Sequence, residues 1–185
     1  MKNSLALLLL LFGLQSFSQG VFNNSTNAAL QKVIEDYPNK FNNIKGDKIG
    51  AKEQTVDFRS KIEVPGASST IVTQINIANT SLYSWKSQLF ESTSFEQSKE
   101  KFKEAFNNIK NTIVKIEGLP AFILNGKFEY PAEDKKNTTV QFQLLPANAD
   151  MQRLKITLSM VQSANQWKLI LGVSEQDLGS ELAAY

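Results

Sequence analysis

Apolar side chains recur at Leu30, Val33, Ile34 and Tyr37, a helical spacing that follows the capping candidates Ser25 and Thr26. Pro38 opens a further turn carrying Phe41 and Ile44, which Gly46 ends. A longer helix is predicted after Ser94, which forms a capping box with Gln97. Its apolar stripe is Phe95, Phe102, Ala105, Phe106 and Ile109, and burial of each ring contributes about 1.5–3 kcal/mol. Lys99, Glu100, Lys101, Lys103 and Glu104 fill the solvated remainder.

Elsewhere the period changes to two. Val56, Phe58, Ile62 and Val64 point one way and Asp57, Arg59, Lys61 and Glu63 the other, before a turn at Pro65-Gly66. Thr70 to Ile77 and Leu82 to Phe90 read as the next strands, with Tyr83, Trp85 and Leu89 on one face. The same alternation gives Phe122 to Tyr130, Val140 to Leu144, Leu154 to Met160 and Trp167 to Val173, the last two joined by a turn at Ser163-Ala164-Asn165. Strands buried on both faces would be continuously apolar, so this alternation predicts an antiparallel sheet with one wet face. The expected architecture is α+β: two layers, with about seven antiparallel strands and two main helices on one face.

A five-residue segment recurs unchanged, Phe41-Asn42-Asn43-Ile44-Lys45 and Phe106-Asn107-Asn108-Ile109-Lys110. Lys61-Ile62-Glu63-Val64-Pro65 likewise corresponds to Lys127-Phe128-Glu129-Tyr130-Pro131. Together they predict a tandem αβββ pseudo-repeat over about 28–91 and 93–162, a final strand over about 166–173 and a short tail. Phe41 and Phe106 should then occupy equivalent positions, and Pro65 and Pro131 should each end a first strand.

The opening residues carry a different signal. One charge at Lys2, an apolar run from Leu5 to Leu14 broken only by Gly13, and small residues at Ser16 and Ser18 read as a signal peptide over 1–18. The run is too short for the ~20 residues of a bilayer span. Residues 19–185 are then a single globular domain, periplasmic or secreted, with no membrane insertion after cleavage.

Composition narrows the chemistry. Among 185 residues there are 20 basic and 18 acidic side chains and no histidine or cysteine. A near-neutral balance offers no counter-charge for phosphates, so no nucleic-acid partner is expected. Most zinc sites, thiol nucleophiles and histidine triads are excluded, and no metal site or cofactor is expected. Ser98-Lys99-Glu100-Lys101 matches S-x-x-K without its companion motifs and reads as helix surface. Glu35-Asp36 and Glu133-Asp134 read as solvated charge. Trp85, Trp167, Tyr83 and Tyr130 could stack sugars but fall on the apolar parity and read as core. Asn23, Asn24, Asn79 and Asn137 each begin a glycosylation sequon.

What remains is an exported, non-enzymatic binding module that engages a protein or glycan through the polar sheet face. Arg153, Lys155, Lys168, Gln141 and Gln143 are the candidate binding residues. Two alternatives are a glycan hydrolase with Glu63 and Glu129 as acid and base, which requires carboxyls roughly 5–10 Å apart, and a carrier with a cavity between helices and sheet.

Overall fold

The computed structural model describes residues 25–77 and 80–175. The expected signal peptide over residues 1–18 and the short tail lie outside the described residues. Helix α1 (Ser25–Asp36) is followed by a 3₁₀ turn, Tyr37–Asn39, and by strands β1 (Lys45–Ala51), β2 (Thr55–Ser60), β3 (Ser69–Ile77) and β4 (Thr80–Ser92). Helix α2 (Phe95–Ile109) then leads to β5 (Ile113–Val114), β6 (Phe122–Gly126), β7 (Asn137–Leu145), β8 (Leu154–Ser163) and β9 (Gln166–Glu175). All nine strands form one open antiparallel sheet in the order β1-β2-β3-β4-β9-β8-β7-β6-β5, and both helices pack on one face.

The two strands beyond the expected seven are the sheet edges, β1 and β5. An edge strand buries little, so it carries little alternation. β1 has the sequence Lys-Gly-Asp-Lys-Ile-Gly-Ala, and β5 has only two residues. Gly46 lies inside β1 and does not end a helix; a Cβ there would stand 2.8 Å from the Arg59 carbonyl oxygen.

The core lies between helices and sheet. Leu30, Val33 and Ile34 of α1 and Phe102, Phe106 and Ile109 of α2 are buried against Trp85, Phe122, Phe142, Leu158, Leu171 and Val173. Ser94 caps α2 by accepting from Gln97 N–H at 3.3 Å. The return bond runs through Ser92, whose Oγ accepts from Ser94 N–H at 3.0 Å and donates to Gln97 Oε1 at 3.1 Å. Ser98 is buried, contrary to its surface assignment, and its hydroxyl donates to the Ser94 carbonyl at 2.9 Å.

β2 ends at Ser60 and β6 at Gly126, both short of the expected prolines. Lys61 to Pro65 and Lys127 to Pro131 lie instead in the connections leaving these strands. Pro65-Gly66 does turn the chain, with Ala67 N–H donating to the Val64 carbonyl at 3.0 Å and Gly66 at φ 82°. Ala164 and Asn165, at φ 49° and 63°, form the tight β8–β9 hairpin.

The identical pentapeptides share one turn: Lys45 N–H donates to Phe41 O and Lys110 N–H to Phe106 O, each at 2.9 Å. Their settings differ. Phe106 is within α2, while Phe41 lies beyond α1 at φ 57°. Four strands follow α1 and five follow α2, where three were expected after the first helix and three with a final strand after the second. Phe41 and Phe106 thus stand in non-equivalent elements.

Candidate functional site

The face of the sheet turned away from the helices is the broadest surface the strands display. Its rows follow from the register. One row runs Asp57, Thr73, Ser84, Ser174, Lys155 across β2, β3, β4, β9 and β8. The next runs Arg59, Ile71, Lys86, Gly172, Thr157, Gln141 and reaches β7. Glu91, Lys168, Val161 and Asn137 form a third row toward one end. At the far edge Leu145, Ile123 and Ile113 stand directly opposite one another on β7, β6 and β5, exposed by 42%, 46% and 59%.

The predicted binding residues separate into three places. Gln141, Gln143 and Lys155 lie close together on β7 and β8 of the open face, the two glutamines exposed and the lysine half-buried. Lys168 faces the same way but lies six residues from Ser174, the β9 partner of Lys155, which is about 20 Å at strand rise. Its ammonium is 3.6 Å from Glu91. Arg153 belongs to the turn preceding β8 and not to a strand.

Sequence reasoning passed over the centre of this face. Lys86, on β4, is half-buried despite its charge. Burial pushes its pKa below the ordinary lysine value, while the Asp57 carboxylate pulls it back up. Asp57 Oδ1 in turn accepts from Thr73 Oγ1 at 2.7 Å. Ser84 is 1% exposed, and its hydroxyl has no hydrogen-bond partner. Beside Lys86, Gly172 presents no side chain, and a Cβ there would meet Thr157 Oγ1 at 3.0 Å. The signal was present in the polar parity of Ser84, Lys86 and Gln88, set against Tyr83, Trp85 and Leu89 on the same strand.

The other candidates lie elsewhere. Trp85 and Trp167 are buried, and Tyr83 is half-buried against the core. Tyr130 departs from the expected core position: it is 75% exposed on a connection, edge-on to Phe128 at 4.9 Å. Asp36 is not solvated charge. It is buried, and its carboxylate accepts from the backbone N–H of Asn43 and Ile44 at 2.9 and 3.1 Å. The side chains of Asn39 and Asn43 add further bonds at 3.1 and 2.7 Å. Glu133 and Asp134 are exposed. So are Glu63 and Glu129, which lie in connections and not on the sheet face, Glu129 being 3.9 Å from Lys135.

Between α2 and the connection after β2 lies a groove of about 270 Å³, lined by Val64, Pro65, Leu89, Phe90 and Ala105 with Lys101 and Glu104 at its polar side. This is below the roughly 300–1,000 Å³ usual for ligand clefts. Asn137 is exposed, and its Oδ1 accepts from Thr139 Oγ1 at 3.1 Å; Asn23, Asn24 and Asn79 lie outside the described residues. Among the described residues no group of three or more carboxylates could hold a metal ion, and no helix is long and apolar enough to cross a membrane. No family model, curated protein or solved structure matches the chain.

Proposed function

We propose that the chain is an exported, non-enzymatic binding module that engages a protein through the open face of its sheet. The observation that carries this reading is the exposed apolar row Ile113, Ile123 and Leu145 bordering a polar field on the face away from both helices. Apolar side chains beside a polar surround suit a protein interface. Eight strand spacings of about 4.8 Å make the face some 38 Å wide, room for the ~800 Å² that a standard interface takes from each partner. A glycan is less well served on this face, because sugar stacking needs accessible rings, both tryptophans are buried, and the exposed Tyr130 lies on a connection and not on a strand. Export rests on the pattern of residues 1–18.

A photo-crosslinking residue placed at Gln141, on the open face, tests the reading against the same residue at Lys103, on the exposed side of α2. In native envelope extract the Gln141 probe is expected to capture a defined protein that the Lys103 probe does not, and Ile123→Asp is expected to abolish that capture. Capture independent of probe position, or unaffected by Ile123→Asp, overturns it.

A further inference from the structure

Ser84 and Lys86 have one feature in common: neither polar group has a hydrogen-bond or ion-pair partner among the described residues, the serine being buried and the lysine half-buried. The Ser84 hydroxyl is buried and unbonded, a state that is costly unless something compensates it. Among the described residues no carboxylate forms an ion pair with Lys86. Thr73, beside Ser84 on β3, already donates to Asp57. On β9 the neighbour of Lys86 is Gly172, which presents no side chain of its own, while Thr157 Oγ1 stands 3.0 Å from where its Cβ would be. Arg59 and Lys155 share the face, and Asp57 is the one acidic side chain in the two central rows. The centre of the face therefore has spare donors and an excess of positive charge.

We propose that this centre is a carboxylate-binding site, in which the Lys86 ammonium and the Ser84 hydroxyl receive an acidic side chain of the protein partner. The inference rests on the reading of the open face as a binding surface and names the chemistry at its middle. The charge-assisted bond to Lys86 supplies most of the attraction. The Ser84 hydroxyl adds direction once the incoming carboxylate displaces the side chains that cover it. Lys155 and Arg59 raise the local positive potential without touching the ligand.

The test follows the Lys86 side-chain and Ser84 amide resonances of the purified protein by NMR during titration with acetate and, separately, with polyglutamate, against chloride at equal ionic strength. Saturable shifts with polyglutamate are expected, lost in Lys86→Met and weakened about tenfold in Ser84→Ala, the loss of one hydrogen bond to a charged group. Ser84→Ala should also melt at or above the wild-type temperature, because it removes an unsatisfied hydroxyl; a merely structural serine would lower it. Saturation by acetate alone assigns the site to free small acids and overturns the partner-borne source. No saturable response, a response that survives Lys86→Met, or tighter binding of inorganic phosphate overturns the site. If the carboxylate response is absent while the Gln141 crosslink persists, this inference fails and the binding-face reading stands; the reverse result fails the binding face alone.

Discussion

The side-chain amide of Gln31 pairs with the backbone of Lys115 as a neighbouring strand would: Lys115 N–H donates to Gln31 Oε1 at 3.0 Å, and Gln31 Nε2 donates to the Lys115 carbonyl. Lys115 follows β5, the last strand of the sheet, so α1 blunts an edge that could otherwise recruit another chain. The opposite edge is protected differently, by register shifts in β1 and by Lys45, Asp47 and Lys48.

Gln31→Ala should cost about 1–2 kcal/mol for the two lost bonds and increase self-association with concentration. Urea unfolding and sedimentation velocity measure the two effects. Wild-type stability together with wild-type sedimentation would rule out the edge-blocking role.

Ser60 occupies a second junction. Its Oγ accepts from Trp85 Nε1 at 3.1 Å and from Ile62 N–H at 3.1 Å, and donates to the Ile62 carbonyl at 2.7 Å. These bonds end β2 and satisfy an indole that is fully buried. Ser60→Ala should destabilise by about 1–3 kcal/mol, because the indole N–H is left buried and unpaired. In a double-mutant cycle with Trp85→Phe, the serine substitution should cost less in the phenylalanine background. Equal costs in both backgrounds would show that the bond contributes nothing.

The two-layer α+β arrangement was legible because long central strands bury one full face. Val140, Phe142, Leu158, Leu169 and Leu171 alternate without exception, and all are buried. The edges were not legible, since burial leaves no such imprint on β1 or β5. Nor could identical sequence fix identical structure. After α1 the Asp36 carboxylate binds the N–H groups of Asn43 and Ile44 and holds a turn beyond Pro38, whereas Phe106 to Ile109 form the last turn of the long helix that starts after Ser94, with Lys110 as its C-cap. The decisive group lies five residues before the repeated segment. In the site, parity placed Gln141, Gln143 and Lys155 on the open face, but the crowding that buries Ser84 and half-buries Lys86 depends on which strands meet at the centre. Strand order is a long-range property that alternation does not encode.

The face assignment of α2 gives a direct contrast. Phe106 is 4% exposed and lies 4.9 Å from the Phe128 ring and 5.6 Å from Phe142, while Lys103 is exposed. Phe106→Ala should cost about 3–5 kcal/mol and Lys103→Ala within about 0.5 kcal/mol. Equal melting temperatures for the two variants would contradict the packing.

Lys86 makes stability depend on pH in a direction that can be worked out. Burial lowers its folded pKa below the ordinary 10.5. Between the lowered value and 10.5 the unfolded chain binds the proton and the folded chain does not, so stability rises with pH across that window. Below the window the charged amine imposes a constant cost. The groups facing it are Asp57 and Arg59 from β2 and Lys155 from β8, while adjacent β3 and β9 contribute uncharged Ile71 and Gly172. Asp57 offsets part of the cost, and the two cations add to it. Lys86→Met should therefore be more stable than wild type near neutral pH, with the difference shrinking as pH approaches 10.5. Urea midpoints of the two proteins, compared at about pH 7 and about pH 10, measure that difference and cancel the titration of groups they share. A difference that stays constant or widens with pH would mean that burial does not depress this amine.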